Sequence, residues 1–228
     1  MIVVIMKIHP YFSSFFLIII CAHTLVAKDL YAFWDDQILV SRDIVQERQT
    51  DRKYAIPTAA IDEAIGIVII ERFKAGFIFG LSRGYAVVMA KDSTGRWSPP
   101  AFYNAGSGSF GLQMGIEQRN LILLIMNEEG MDQIRKQGEV GLSGDITAAI
   151  GPTGLMTDVV KIPKSDVLVY AHGEAYSVGV SMSLWGIRFN KTANQTYYRK
   201  RSLTSDDILF KSKVDMPASA KKLINALR

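Results

Sequence analysis

The chain has 228 residues, 49% of them hydrophobic and 21% charged, and a formal net charge of +4. That length suits one domain with ample material for a core. Its only cysteine, Cys21, and two of its three histidines, His9 and His23, fall in an N-terminal leader-like segment; the remainder keeps one imidazole, His172, which excludes disulfides, cysteine nucleophiles and Cys/His zinc sites.

Residues 1–27 carry one formal charge, Lys7, then the apolar run FFLIIICA and a small residue at Ala27. This is the order of a secretory signal, and we expect it to be cleaved, giving an exported protein, periplasmic or extracellular. A retained membrane anchor is the alternative, diluted by His9, Pro10, Ser13 and Ser14. Lipidation at Cys21 is disfavoured by bulky Ile20.

DLYAFWDDQILVSRDIVQERQ (29–49) places Leu30, Trp34, Ile38 and Val45 near one helical face. All 18 glycines then lie between Gly66 and Gly186. Glycine weakens helices and serves where sheets turn or approach closely, so this distribution predicts a β-rich centre between helical ends. IGIVIIE (65–71), GFIFGL (76–81) and GYAVVMAK (84–91) read as strands. Asp92-Ser-Thr-Gly95 makes a turn, and Pro99-Pro100 argues for an edge strand or bulge after it. Asn127 can cap a helix whose first turn holds Glu128 and Glu129 and whose end is closed by Gly138. DVLVYAHGEAYSVGVSMSLW (166–185) reads as two strands broken near Gly173. Thr204-Ser-Asp-Asp207 resembles a capping box, and Pro217 can open a last helix striped by Leu223, Ile224 and Leu227. The resulting class is α+β, one β-rich domain whose twisted, largely antiparallel, barrel-like sheet lies between N- and C-terminal helices.

Gly106, Gly108 and Gly111 form a literal G-x-G-x-x-G, with Glu128 and Glu129 at a suitable distance for a ribose-binding acid. A dinucleotide site needs a strand before the glycines and a helix after them. SPPAFYNA makes a poor buried parallel strand, and Leu112, Met114 and Ile116 alternate with polar or small residues. Period two means strand. We therefore expect a tight main-chain bend anchored by Phe110, and no cofactor. Any hydrolase would have to pair His172 with a serine such as Ser177 or Ser181, and we expect no enzyme activity.

WSPPAFYNAGSGSFGLQMG (97–115), followed by NLILLIMNEEG, resembles the core signature of the SYLF lipid-binding domain family. IPTAAIDEAIGIVII, KAGFIFGLSRGYAVV, GEVGLSGDITAAIGPTG and YSVGVSMSLWGIRFNKTANQTYY extend the resemblance in family order across 56–210. It implies structural roles for Trp97, Pro100, Phe102, Gly106, Gly108, Phe110, Gly111, Gln113 and Gly115. Residues 28–55 would then be an N-terminal amphipathic helix and 211–228 a basic C-terminal helix or tail.

Eukaryotic members of that family bind phosphoinositide-containing membranes, and some bind actin. The resemblance therefore implies a non-catalytic domain that meets anionic membrane lipid, or else a structural or protein-binding module of the cell envelope. Residues 29–53 carry six acids against four bases, which opposes attraction to an anionic leaflet. Tyr31, Phe33 and Trp34 could insert at an interface, or the helix could pack them on the sheet. Residues 188–228 carry ten bases against three acids, and Arg199, Lys200, Arg201, Lys211 and Lys213 are the electrostatic candidates for lipid contact. We expect membrane lipid as a partner, with a protein partner as the alternative, and neither nucleic acid nor metal.

Overall fold

The computed structural model describes residues 11–73, 82–107, 120–137, 139–141, 147–153, 162–171 and 185–228. The signature positions Gly108, Phe110, Gly111, Gln113 and Gly115, the expected strand GFIFGL (76–81), and Gly138, His172, Ser177 and Ser181 lie outside them.

Among the described residues, six helices and eight strands follow in chain order. They are α1 (Tyr11–Thr50), α2 (Thr58–Glu63), β1 (Gly66–Phe73), β2 (Ser82–Ala90), β3 (Ala101–Ser107), β4 (Leu121–Ile125) and α3 (Glu128–Gln137). Then come β5 (Glu139–Gly141), β6 (Ala148–Ile150), β7 (Val167–Ala171), β8 (Trp185–Phe189), α4 (Lys191–Tyr198), α5 (Ser205–Leu209) and α6 (Ala218–Ala226). The strands form one sheet in the order β5-β8-β3-β2-β1-β4-β7-β6. Every pairing is antiparallel except β6 with β7. The described strands do not close on themselves. The α+β, largely antiparallel architecture with flanking helices agrees with the expectation from sequence.

Why these strands are so apolar follows from the layers. Val68 and Ile70 of β1 face one core with Val88, Leu123, Val169 and the helix residues Met131, Ile134, Ile208 and Leu209. Ile67 and Ile69 face the other, with Trp34, Ile38 and Val45 of α1, Ala193 and Tyr197 of α4, and Leu223 of α6. Both faces are covered, so alternation disappears and all five residues of β4 are buried. Burying a side chain such as Ile38 or Leu223 stabilises the fold by ~1.5–3 kcal/mol each.

One expectation resolves into one of its alternatives and another needs correction. Pro99 and Pro100 mark a bulge and not an edge: Val88 pairs with Ala101 and Lys91 with Trp97, so Met89 and Ala90 face the three residues Ser98, Pro99 and Pro100. They precede β3, which pairs with β2 on one side and β8 on the other, so the missing amide donors fall outside the ladder. Leu30 is not on the buried stripe of α1. It is 44% exposed while Trp34, Ile38 and Val45 are buried, because the packed face of α1 turns away from it. β3 itself bears on the glycine question. It holds Gly106 between two antiparallel neighbours, whereas the dinucleotide fold sets its first glycine after a parallel strand.

The caps agree with their signals. Asn127 accepts from the Gly130 amide (3.0 Å) at the start of α3. Thr204 and Asp207 form a reciprocal capping box on α5. At Gly151 the main chain passes against the buried Tyr170 ring: an added Cβ would lie 2.0 Å from its Cζ.

Candidate functional site

Two surfaces carry chemistry. The first lies where α1, α4 and α6 meet. Asp35 of α1 accepts from the Tyr197 hydroxyl of α4 (2.6 Å) and from the Ser219 hydroxyl at the start of α6 (2.7 Å). One carboxylate thus ties three helices together. Burial raises the Tyr197 hydroxyl pKa first, and its bond to Asp35 raises it further. Tyr31 stacks on Tyr197, with ring centroids 4.8 Å apart and planes 5° from parallel. The Arg199 guanidinium sits 5.7 Å from the centre of the Tyr31 ring.

The three aromatic candidates on α1 have different surroundings. Trp34 is buried, 5.1 Å from Phe102 and 5.0 Å from Tyr85, centre to centre. Tyr31 is half-buried under Arg199. Phe33 remains 38% exposed, edge-on to Trp34 and Tyr85, and Leu30 beside it is exposed as well.

The five basic candidates also divide. Lys211 pairs with Asp206 (2.9 Å) and Lys213 with Asp207 (2.6 Å). The Asp207 carboxyl is held down at about 2, first by the hydrogen bond from Lys213 and then by those from Thr204. Lys200 donates to the Lys213 carbonyl. Arg199, Lys200 and Arg201 are all exposed and have no acidic partner among the described residues. Their loop is bounded by two left-handed non-glycine residues, Arg199 (φ 52°) and Ser202 (φ 57°). Such conformations cost about 1–3 kcal/mol each and persist where the surroundings enforce them. At Arg199 the C-cap of α4 and the contact with the Tyr31 ring do so.

The second surface is an open groove of about 1020 Å³ at one end of the sheet. The signature residues Trp97, Ser98 and Pro99 form one wall. Lys91 spans its corner: the ammonium donates to the Ile61 carbonyl (2.7 Å) and the Asp62 carbonyl (2.9 Å) and lies 4.8 Å from the Trp97 ring centre. Burial lowers its pKa, partly countered by Asp62. Opposite, the Arg135 guanidinium covers Phe210 at 4.0 Å and bridges to Glu128 at 3.0 Å. The groove draws on α2, α3, the β2–β3 turn and the α5–α6 connection. No single stretch of sequence announces it.

The other described signature residues are scaffolding. The Pro100 carbonyl accepts from Tyr198 (2.5 Å), Phe102 packs between Trp34 and Tyr197, and Gly106 pairs with Arg83 and Gly186. Sequence reasoning missed α4 and its buried Asn194, although Asn190 was a usable cap signal: its side chain accepts from the Ala193 amide at 2.9 Å. Both asparagines head formal glycosylation triplets, but Asn194 is fully buried in the fold. Among the described residues, no three His, Cys, Asp or Glu side chains group as metal ligands, and no helix is long and apolar enough to cross a membrane.

Comparison with known proteins places these features in context. Residues 106–228 match the Ysc84 family, described as "Las17-binding protein actin regulator". The chain is 29% identical over 174 residues to an SH3 domain-containing YSC84-like protein 1 from Xenopus laevis, covering 75% of this chain and 52% of that one. The human protein of that name is 29% identical over 174 residues, with 75% and 50% covered. Protein YSC84 of Saccharomyces cerevisiae is 29% identical over 177 residues, with 75% and 37% covered. The chain thus spans about half the length, or less, of these curated relatives.

Proposed function

Since this chain belongs to the Ysc84 family, the family of the SYLF domain, we propose that it is a non-catalytic, exported domain that binds anionic phospholipid at a membrane surface. The observation that carries this reading is the juxtaposition of Arg199 and Tyr31 beside exposed Phe33 and Leu30. It brings cations that have no acidic partner among the described residues and apolar side chains to one surface, which is the combination an interfacial site needs. Near an anionic leaflet each cation contributes ~1 kcal/mol, so Arg199, Lys200 and Arg201 contribute on the order of 3 kcal/mol. That is weak alone, and insertion of Phe33 and Leu30 adds to it.

The acidic character of α1 counts less than its formal charge suggests, because Asp35 is turned onto Tyr197 and Ser219. Lys211 and Lys213, matched by Asp206 and Asp207, act as structural cations in this reading. Export rests on the order of charge, apolar run and small residue over 1–27. Co-sedimentation of the full chain with anionic vesicles at low ionic strength, reversed by salt, is the expected result. Failure to bind such vesicles at low salt would overturn the proposal.

A further inference from the structure

The groove beside Trp97 contributes nothing to the lipid reading and shares no residue with the 199–201 loop. At about 1020 Å³ it slightly exceeds the roughly 300–1,000 Å³ usual for small-molecule sites, and it is open rather than enclosed. Its apolar lining comes from the half-buried Trp97, Phe210 and Met216, backed by the buried Met131 and Val214. Methionine is unbranched and polarisable and adapts to varied ligands, and an aromatic beside it supplies a rigid anchor.

The charges around this surface are unequal. Five carboxylates line the groove (Asp62, Glu63, Asp92, Glu128 and Asp215) against three cations (Lys91, Arg96 and Arg135). The cations are already engaged within the protein. Lys91 is held by two carbonyls, Arg96 by Asp92 at 3.1 Å, and Arg135 by Glu128 and Phe210. Glu63 and Asp215 are exposed and have no cationic partner among the described residues. A ligand entering the groove therefore meets an apolar floor and a net negative rim, on a chain that is basic overall.

We propose that this groove docks a short basic peptide segment of a protein partner, with an apolar residue seated between Trp97 and Phe210 and flanking Lys or Arg side chains against Glu63 and Asp215. An acidic peptide would meet like charge, and such juxtaposition is costly at an interface.

The test uses the full-length protein and three synthetic twelve-residue peptides: one of Lys and Leu, one of Glu and Leu, and one of Lys and Ser. Binding is read by NMR shift perturbation and by titration. The Lys/Leu peptide is expected to perturb groove residues and to bind at least about tenfold more tightly than either of the others. Glu63→Lys with Asp215→Lys, both at exposed positions, is expected to weaken it about tenfold or more, while Arg201→Glu leaves it unchanged. Absence of binding, perturbation confined to other surfaces, or indifference to the Glu63 and Asp215 reversals would each overturn the proposal.

Discussion

Asn194 clasps the backbone of Phe102 from both sides. Its carbonyl oxygen accepts the Phe102 amide (3.0 Å) and its side-chain amide donates to the Phe102 carbonyl (2.8 Å), across 92 positions of sequence. The same amide also reaches the Asn190 carbonyl within α4. One fully buried side chain thereby fixes α4 against β3, and through α4 it fixes Tyr197 and the 199–201 loop.

Asn194→Leu should therefore be costly. The buried Phe102 amide would lose this partner, while the Phe102 carbonyl keeps the Asn190 amide (3.0 Å); one unsatisfied buried group costs about 1–3 kcal/mol. A loss of about 1–3 kcal/mol in urea unfolding is expected. Because Asn194 has no solvent access in the folded protein, the Asn194-Gln-Thr triplet should remain unmodified by a glycosyltransferase acting on folded protein; mass analysis after treatment reads this directly.

Three buried tyrosines and the half-buried Tyr198 set the alkaline limit. Burial raises the hydroxyls of Tyr103, Tyr170, Tyr197 and Tyr198 above the ordinary value of 10.0. In the unfolded chain they ionise near 10 while the folded protein retains their protons. The folded state then holds more protons, and stability falls as pH rises above about 10. Lys91, whose pKa is lowered, acts in the opposite sense, but it is one group against four. Phenolate absorbance should rise in two stages, with these four ionising only as circular dichroism reports unfolding. Full ionisation with the fold intact would contradict the assignment.

At the acidic side the informative group is Asp207. Its carboxyl is depressed from 3.8 to about 2, so its contribution to stability is present above 3.8 and disappears as pH falls through about 2. Replacing Lys213 by methionine removes the largest cause and should move the Asp207 titration, followed by carboxyl NMR, back toward the ordinary value. Thr204→Ala should do so to a smaller extent and should also cost about 1 kcal/mol through the lost cap on α5.

Gly151→Ala tests how closely β6's exit is packed. The new methyl would overlap the Tyr170 ring, which is confined between the sheet and α1. Overpacking of this kind costs about 1–3 kcal/mol, and a thermal melt with no loss would show that the ring can move aside.

The features legible in the sequence are those whose cause is local. Thr204 and Asp207 lie three residues apart and cap one another, so α5 can be read directly. Asn127 and the pair Glu128-Glu129 announce α3 in the same way. The stripe of α1 is legible at Trp34, Ile38 and Val45 but fails at Leu30, because the extent of the covered face is set by α4, α6 and the sheet. Helix α4 escapes notice because KTANQTYY is polar and β-branched or aromatic; a distant backbone, that of Phe102, holds it. Charge sorting was equally hidden. Five lysines and arginines look alike in sequence, and only folding pairs Lys211 and Lys213 with Asp206 and Asp207 while leaving Arg199 on Tyr31.

That sorting provides the most direct test of the proposed function. Full-length protein is titrated with phosphatidylserine-containing and purely zwitterionic vesicles, comparing Arg199→Met/Arg201→Met with Lys211→Met/Lys213→Met at matched folded fraction. Two cations at ~1 kcal/mol each predict a roughly 30-fold loss of affinity for the anionic vesicles in the arginine pair and little change in the lysine pair. Equal losses in both pairs, or equal binding of the unaltered protein to both kinds of vesicle, would contradict a membrane site built on Arg199 and Arg201.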